Sequence, residues 1–564
     1  MSRALDERRV WLLSLTGAVS MFLVQPPVDL WPAAWLAPLP WLAVVGPAAL
    51  AASRPWRALW VGGFVHWLLA IHWLRLPHPA TSIGWVALSA YLAAYVPLFV
   101  WIARRLVHHH RWPLVAAAPL AWVVCEHLRG TVLGGFTFAG LGHTQWRWTT
   151  LIQCADVAGA VGVSGLVVLV ASAVASRAAV PAAVAAAMVA AVLGYGGWRL
   201  AGEPAEQGPP LDVLLVQGSI DTELKHDPEA ATDVAAQYDG LTMEGLAAEV
   251  TKPDLIVWPE TMWRWGLVEI DPGEVLPDSV VEQVVGPPRP DEPAAFADRQ
   301  RRCRAALEQD RLAALAVYAR RYGTHWLVGL DKQEISAAAP GGARNFNCGL
   351  FLDAAGTPLG CYSKMHPVMF GEYIPLADRF PWLYRLTPLP AGLTAGTEAV
   401  AVTVAGHRVA VNICYETAVP AAVRDLVREL ATAGGRPDVI VNLTNDGWFW
   451  GSSELDMHLT AAIFRAVEVR TPIVIAANTG FSASIDGSGR LLARGPRRAT
   501  ATLRARVRPD GRPSPWLAWG SLPAGACVAV AGCIMGAGVL QKTRCREEPG
   551  DEPINPRLPT EEGR

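Results

Sequence analysis

The stretch VAVNICYET, Val409 to Thr417, alternates apolar and small residues and then delivers a cysteine with an acid two positions on. That alternation predicts a half-buried strand. Its tip would present Cys414, followed by Tyr415 and Glu416. A free cysteine ordinarily packs as a small hydrophobe, so the meaning of this one depends on what the remaining chain brings to it.

Working outward, 399–416 reads as a hairpin turning at Ala405-Gly406. Further strands are predicted in LDVLLVQG (211–218), PDLIVWPE (253–260), THWLVGLDK (324–332), NFNCGLFLD (345–353), PDVIVNLTND (437–446) and PIVIAANTG (472–480). RLAALAVYARRYG and AAVRDLVRELATAGG have helical periodicity and end in glycine. Near-continuous apolar strands separated by helices imply sheets covered by helices, an α/β layered domain over 201–514. Within it, 270–300 is rich in proline and acids and is expected to be a loop insertion.

Three predicted strands lead into reactive side chains: Glu260 in WPE, Lys364 in CYSKMHP and Cys414 in NICYE. Taken singly they could be a helix cap, a surface charge and a packing residue. Layered α/β folds gather their chemistry at strand ends, and together a carboxylate, an ammonium and a thiol make a complete nucleophilic set. The acid takes the thiol proton, the cation stabilises developing negative charge, and the sulfur attacks a carbonyl carbon. His366 and His407 lie nearby in sequence without a partnering acid pattern, which argues against a Cys/His pair. Exposed aromatic loops, MWRW (262–265) and GWFWG (447–451), could admit an acyl chain or cover the site.

The composition points elsewhere as well. Hydrophobic residues make up 52% of the 564 and charged residues 17%, and the mean hydropathy is +0.25, values that lean towards a membrane protein. Net charge is −2, so no overall field favours nucleic acid. Nine cysteines show no CxxC and no regular framework, which argues against a zinc site or a disulfide scaffold; neither metal nor cofactor is expected.

Crossing roughly 30 Å of hydrocarbon takes about 20 apolar residues. Seven such runs precede residue 200, at about 10–25, 31–51, 57–75, 83–103, 112–128, 154–176 and 179–199, and an eighth lies within 515–541. The first could be a secretory signal, but Pro26 and Pro27 lead into another apolar run, so a retained helix is expected. Residues 1–200 thus read as a bundle of about seven helices, 515–541 as a final span and 542–564 as a cytoplasmic tail. Glu126 and Arg129 in CEHLRG could face a headgroup or snorkel to the interface, and the Gly-rich loop 134–146 could lie close to a lipid.

The order WPE, YSKMHPVMFGEYIP, NICYE closely resembles the nitrilase (carbon–nitrogen hydrolase) superfamily. With eight helices, VQGSI (216–220), FGEYIP (370–375) and TNDGWF (444–449), the chain resembles the bacterial apolipoprotein N-acyltransferase family over nearly its whole length. The resemblance implies an α-β-β-α sandwich on a multi-pass membrane bundle in the bacterial inner membrane, with the catalytic domain extracytoplasmic. It implies a phospholipid acyl donor and, as acceptor, the N-terminal amine of a diacylglyceryl-modified cysteine on an apolipoprotein. Glu260 would be the general base and Cys414 the nucleophile, with Lys364 and the Tyr415 N–H holding the oxyanion. Glu372 would orient Lys364 or gate the cleft, and Glu416 would shape the pocket wall. The 270–300 segment has no counterpart in this pattern.

A monomer is expected. A membrane-tethered amidase with water as acceptor would use the same three residues, and a non-catalytic transporter or scaffold would leave them unexplained. Basic residues orient the bundle: Arg8, Arg9, Arg54, Arg57, Arg104, Arg105, Arg111, Arg177 and Lys542 fall on one side, against Arg75, Arg129 and Arg147 on the other. A reporter fused near residue 300 is therefore expected to read as extracytoplasmic, and a cytoplasmic reading would reverse the topology.

Overall fold

The computed structural model describes residues 5–547 apart from 203–207, 222–228, 272, 288–295, 337–338, 340–341, 378 and 387–391, with side chains described to residue 535. Before residue 202, helices occupy every predicted apolar segment: Glu7–Leu23, Leu39–Val45, Pro55–Ala70, Thr81–His109, Leu114–Arg129, Ala155–Ser176 and Ala179–Ala201. Thr81–His109, Ala155–Ser176 and Ala179–Ala201 are long and apolar enough to cross a membrane. The others are shorter because the apolar run outlasts the helix. The 31–51 run breaks into a short turn at Trp31–Trp35 and a helix that ends at Val45 before Pro47, and the 57–75 run leaves its helix at Ala70. Leu114–Arg129 packs along Ala155–Ser176, and Leu42, Leu59, Phe99, Val100, Val124, Val167 and Val168 form the buried core of this part.

Among the described residues the second half contains twelve strands in two six-stranded sheets: β1 (Leu211–Gln217), β2 (Leu255–Ile270), β3 (His325–Ile335), β4 (Ala343–Leu352), β5 (Pro358–Ser363), β6 (Ala401–Val404), β7 (His407–Ile413), β8 (Val439–Thr444), β9 (Ile473–Ala477), β10 (Ala483–Ile485), β11 (Leu491–Arg494) and β12 (Ala501–Val507). Their orders are β12-β1-β2-β3-β4-β5 and β11-β10-β9-β8-β7-β6. In each sheet the central three strands are parallel and the outer ones antiparallel. The sheets face each other, β2 against β8 and β9 and β4 against β7, burying Leu215, Val257, Leu327, Val411, Leu443 and Ile475 between them. Helices Ala231–Ala247 and Phe296–Tyr322 cover the outside of the first sheet, and Pro420–Ala433 and Glu454–Val469 belong to the second. The result is an α-β-β-α sandwich, and the hairpin turns at Ala405-Gly406 as the sequence implies, both residues having positive φ.

Two local expectations change. Part of 270–300 is not loop: Asp278–Val285 is a helix, and Val281 and Leu276 pack with Ile270 and Cys303 into a small core of their own; residues 272 and 288–295 lie outside the described set. MWRW is not a loop either. It continues β2, with Met262 and Trp263 buried against Trp326 and Tyr318. The ladder to β3 breaks in register between Trp258 and Trp263, and Thr261 takes φ +55°. A bulge of this kind re-aims side chains, so Glu260 projects from the middle of a strand and not from its end.

Bundle and sandwich are locked together by buried ions. Arg470, at the end of Glu454–Val469, places its guanidinium 2.5 Å from Asp156 and 2.6 Å from the Gln153 side chain, and Arg199 reaches Asp156 at 2.8 Å. The Ala160 N–H donates to Glu468, which also accepts from Arg465. Such charges are tolerable inside a protein because each is paired and hydrogen-bonded.

Gly329 of β3 lies against the bulge: a Cβ there would sit 2.1 Å from the Pro259 carbonyl oxygen and 2.7 Å from the Glu260 Cα. Gly329→Ala is therefore expected to cost about 1–3 kcal/mol of stability and to displace Glu260, so that residual activity in the folded fraction falls as well. Full activity per folded molecule would contradict this role for the bulge.

Candidate active site

Glu260, Lys364 and Cys414 converge between the two sheets. Cys414 directly follows β7, at the first position of a short helical turn Cys414–Ala418, and holds φ +52°. A left-handed conformation is costly for a residue with a Cβ, so the surroundings must impose it. Lys364 directly follows β5 and is buried, with its ammonium 2.7 Å from Glu372 Oε1 and 3.7 Å from Glu260 Oε1. Burial works against this charge, but Glu372, Glu260 and Cys414 together outweigh it and hold the lysine above its ordinary range.

Glu260 is fixed from both sides. Asn347 Nδ2 donates to Oε1 at 2.5 Å, and the Asn445 N–H donates to Oε2 at 2.9 Å. Asn347 also accepts the Lys364 N–H at its carbonyl, which ties the acid's support to the cation's backbone. Asn445 in turn accepts from Asn478 Nδ2, while Asn478 Oδ1 accepts from the Ile220 N–H and the Tyr238 hydroxyl. The VQGSI and TNDGWF motifs thus meet behind Glu260. Burial and then the Glu260 charge push the Cys414 thiol well above the ordinary cysteine value, and Lys364 pulls against them. The resting thiol is consequently neutral at pH 7.

Glu372 is positioned by its own turn. Its Oε2 accepts the Val368 N–H at 2.6 Å while Oε1 accepts from the Lys364 ammonium at 2.7 Å. Glu416 is fully engaged elsewhere. Its carboxylate accepts from the Tyr362 hydroxyl, the N–H groups of Met365 and His366, and the Ile413 N–H. Burial raises its pKa, but the hydrogen bonds from His366 and Ile413 and the Lys364 charge outweigh that and leave it below the usual carboxylate range. Glu416 therefore latches the end of β7 to the Lys364 loop.

The bundle supplies the opposite wall. Arg129 is buried, donating to the Phe138 carbonyl at 2.7 Å and lying 5.0 Å from the Trp67 ring. It pins the 134–146 loop against protein, which displaces the idea of an arginine snorkelling to the interface. Thr137 Oγ1 donates to the Ala418 carbonyl, Phe138 packs on Tyr415, and Phe449 meets Trp73.

Several functional candidates were silent in the sequence. Asn347, Asn442, Asn445, Asp446 and His458 act through contacts between distant segments; only the TNDGWF motif touches two of them. His458 Nε2 lies 3.1 Å from the Cys414 carbonyl oxygen, and its Nδ1 lies 3.1 Å from Asp446 Oδ1. His407 instead faces the Pro209 carbonyl, away from the site, and His366 lies beside Glu416. Asp446, Glu454 and His458 bring ligand-type atoms within 4.8 Å of one another. Both nitrogens of His458 are already committed, so the group reads as a hydrogen-bonded cluster and not as a cation site.

Glu416→Ala would strand four donors, those of Tyr362 and Ile413 fully buried. At about 1–3 kcal/mol for a buried group left unpaired, denaturation should report a loss of about 3 kcal/mol or more. A change within a few tenths would refute the latch.

The match to known proteins follows the same division. Residues 17–173 match the model of the apolipoprotein N-acyltransferase N-terminal domain, and residues 213–512 match that of the carbon–nitrogen hydrolases. An apolipoprotein N-acyltransferase of Rhodopirellula baltica is 30% identical over 567 residues, covering 93% of this chain and 96% of that protein. One of Geobacter metallireducens is 30% identical over 558 residues, covering 95% and 96%. A solved amidase of Nesterenkonia sp. is 16% identical, covering 54% of this chain and 93% of that one, with a TM-score of 0.34. The chain belongs to the apolipoprotein N-acyltransferase family, with a carbon–nitrogen hydrolase domain after its helical region.

Proposed function

We propose that the protein moves an acyl chain from a phospholipid to the N-terminal amine of a diacylglyceryl-cysteine on apolipoproteins, through a thioester on Cys414. The observation that carries the reading is the convergence of one ammonium, two carboxylates and one thiol, Lys364 lying 2.7 Å from Glu372 and 3.7 Å from Glu260 and all three acting on Cys414 electrostatically.

In the first half-reaction Glu260 takes the thiol proton as the Cys414 sulfur attacks the ester carbonyl carbon. The resulting oxyanion is stabilised by Lys364 and by the Tyr415 N–H, a donor in the first turn of a helical segment, where N–H groups lack intrahelical partners. As the tetrahedral species collapses, the ester C–O bond breaks and the lysophospholipid oxygen takes the proton from Glu260. In the second half-reaction the lipoprotein amine attacks the thioester, Glu260 accepts the amine proton, and the thiolate leaves and is reprotonated. Glu372 keeps Lys364 in place throughout.

Lipid access fits the surface. Phe370, Leu376, Trp382 and Trp450 are exposed apolar residues of the sandwich half, and a Cβ at Gly134 of the bundle loop would lie 2.8 Å from Met369. Apolar side chains left exposed beside a membrane-embedded region suit entry of an acyl chain. We read the helices before residue 202 and Leu522–Glu547 as an eight-span bundle in the bacterial inner membrane, with the sandwich outside the cytoplasm.

Incubation with phospholipid carrying a labelled acyl chain should yield hydroxylamine-sensitive label on the protein. Addition of a diacylated lipopeptide with a free amine should discharge it as an amide. Lys364→Ala should slow labelling by about 10²–10³-fold, the usual consequence of losing one oxyanion donor. Label surviving Cys414→Ala rejects the mechanism, and label discharged only to water supports an amidase-like hydrolase.

A further inference from the structure

The peptide between Cys414 and Tyr415 has two faces with different fates. Its carbonyl oxygen is held by Asn442 Nδ2 at 3.2 Å and by His458 Nε2 at 3.1 Å. Peptide groups are planar and trans, so C=O and N–H point in opposite directions. Two donors fixing the carbonyl thereby fix the Tyr415 N–H on the other side of the same plane.

The charge of His458 follows from its partners. A carbonyl oxygen can only accept, so Nε2 carries a hydrogen. Asp446 Oδ1 already accepts from Thr444 Oγ1 at 2.9 Å and lies 3.1 Å from Nδ1, a contact completed by a hydrogen on that nitrogen. A ring with both nitrogens protonated is an imidazolium. It is buried on Glu454–Val469 beside Glu454, itself buried with Oε2 unpartnered. Consistently, burial lowers the His458 pKa but Asp446 and Glu454 outweigh it and raise it to about 9, while burial and the Asp446 charge push Glu454 well up.

We propose that His458, held by Asp446, is a positioning residue that orients and polarises the Cys414–Tyr415 peptide so that the Tyr415 N–H meets the oxyanion as a strengthened donor. Chains of hydrogen bonds polarise one another in a low-dielectric site, and a bond from a cation is the strong kind. The same contacts hold Cys414 in its left-handed conformation. This inference rests on the assignment of Cys414 as nucleophile and of the Tyr415 N–H as an oxyanion donor.

The test separates acylation, which forms an oxyanion, from alkylation of Cys414 by iodoacetamide, which does not. Both are followed on the full-length protein by mass of the Cys414 peptide, with thermal unfolding as the fold control. A glutamine amide can occupy the place of Nε2, whereas an asparagine amide can occupy only that of Nδ1. His458→Asn is expected to slow acyl-enzyme formation by about 100-fold while alkylation stays within a few-fold. His458→Gln should recover to within about tenfold of the parent. Equal acylation by the two variants, or alkylation falling in step with acylation, overturns the proposal. Acyl label on Cys414→Ala would instead sink the nucleophile assignment, a separate failure.

Discussion

A lysine ammonium buried between two sheets is the constraint around which this protein is built. Removing such a charge from water costs several kcal/mol unless partners replace the lost hydration. Glu372 and Glu260 are those partners, and each needs support of its own. Glu372 takes a backbone N–H from its own turn. Glu260 is bracketed by Asn347 and Asn445 and projected by a bulge that Gly329 makes room for. Glu260 and Lys364 are thus parts of one electrostatic unit.

Cys414 is held just as completely, but by other means. Glu416 ties the end of β7 to the Lys364 loop, so the two reactive residues cannot drift apart independently. On the far side, Arg129 fixes a bundle loop that packs on Tyr415 and bonds to Ala418. Buried ion pairs centred on Asp156 and Arg470 lock the helices to the sandwich. The helical region therefore contributes one wall of the candidate site.

Much of this is legible in the sequence. Short apolar, β-rich runs locate β1, the start of β2, β3, β4, β6, β7, β8 and β9, and strand-end logic singles out Lys364 and Cys414. The same logic misplaced Glu260, because Pro259 and the MWRW run look like a chain break when they are a bulge inside a continuing strand. It also read Asp278–Val285 as loop, since the flanking prolines and acids masked a one-sided apolar helix. The short strands β10 and β11 are too brief to show a period. Apart from Asn445 in TNDGWF, the supporting asparagines and His458 carry no local pattern; their contacts exist only once segments far apart in sequence are brought together. Apolar content alone overstates helix length, because turns and short segments in the first 75 residues are as hydrophobic as the helices they join.

The central claim is that Cys414 rests as a neutral thiol and that Glu260, beside it, acts as the base. Its most direct test is the pH profile of iodoacetamide alkylation at Cys414, read by peptide mass, in the parent protein and in Glu260→Gln. Burial and the Glu260 charge raise the thiol pKa whereas Lys364 lowers it. The parent midpoint should therefore lie above the ordinary cysteine value of about 8.5. Removing the carboxylate charge should move that midpoint to lower pH while abolishing acyl-enzyme formation. A parent midpoint below the ordinary value, or an upward shift in Glu260→Gln, would contradict the account.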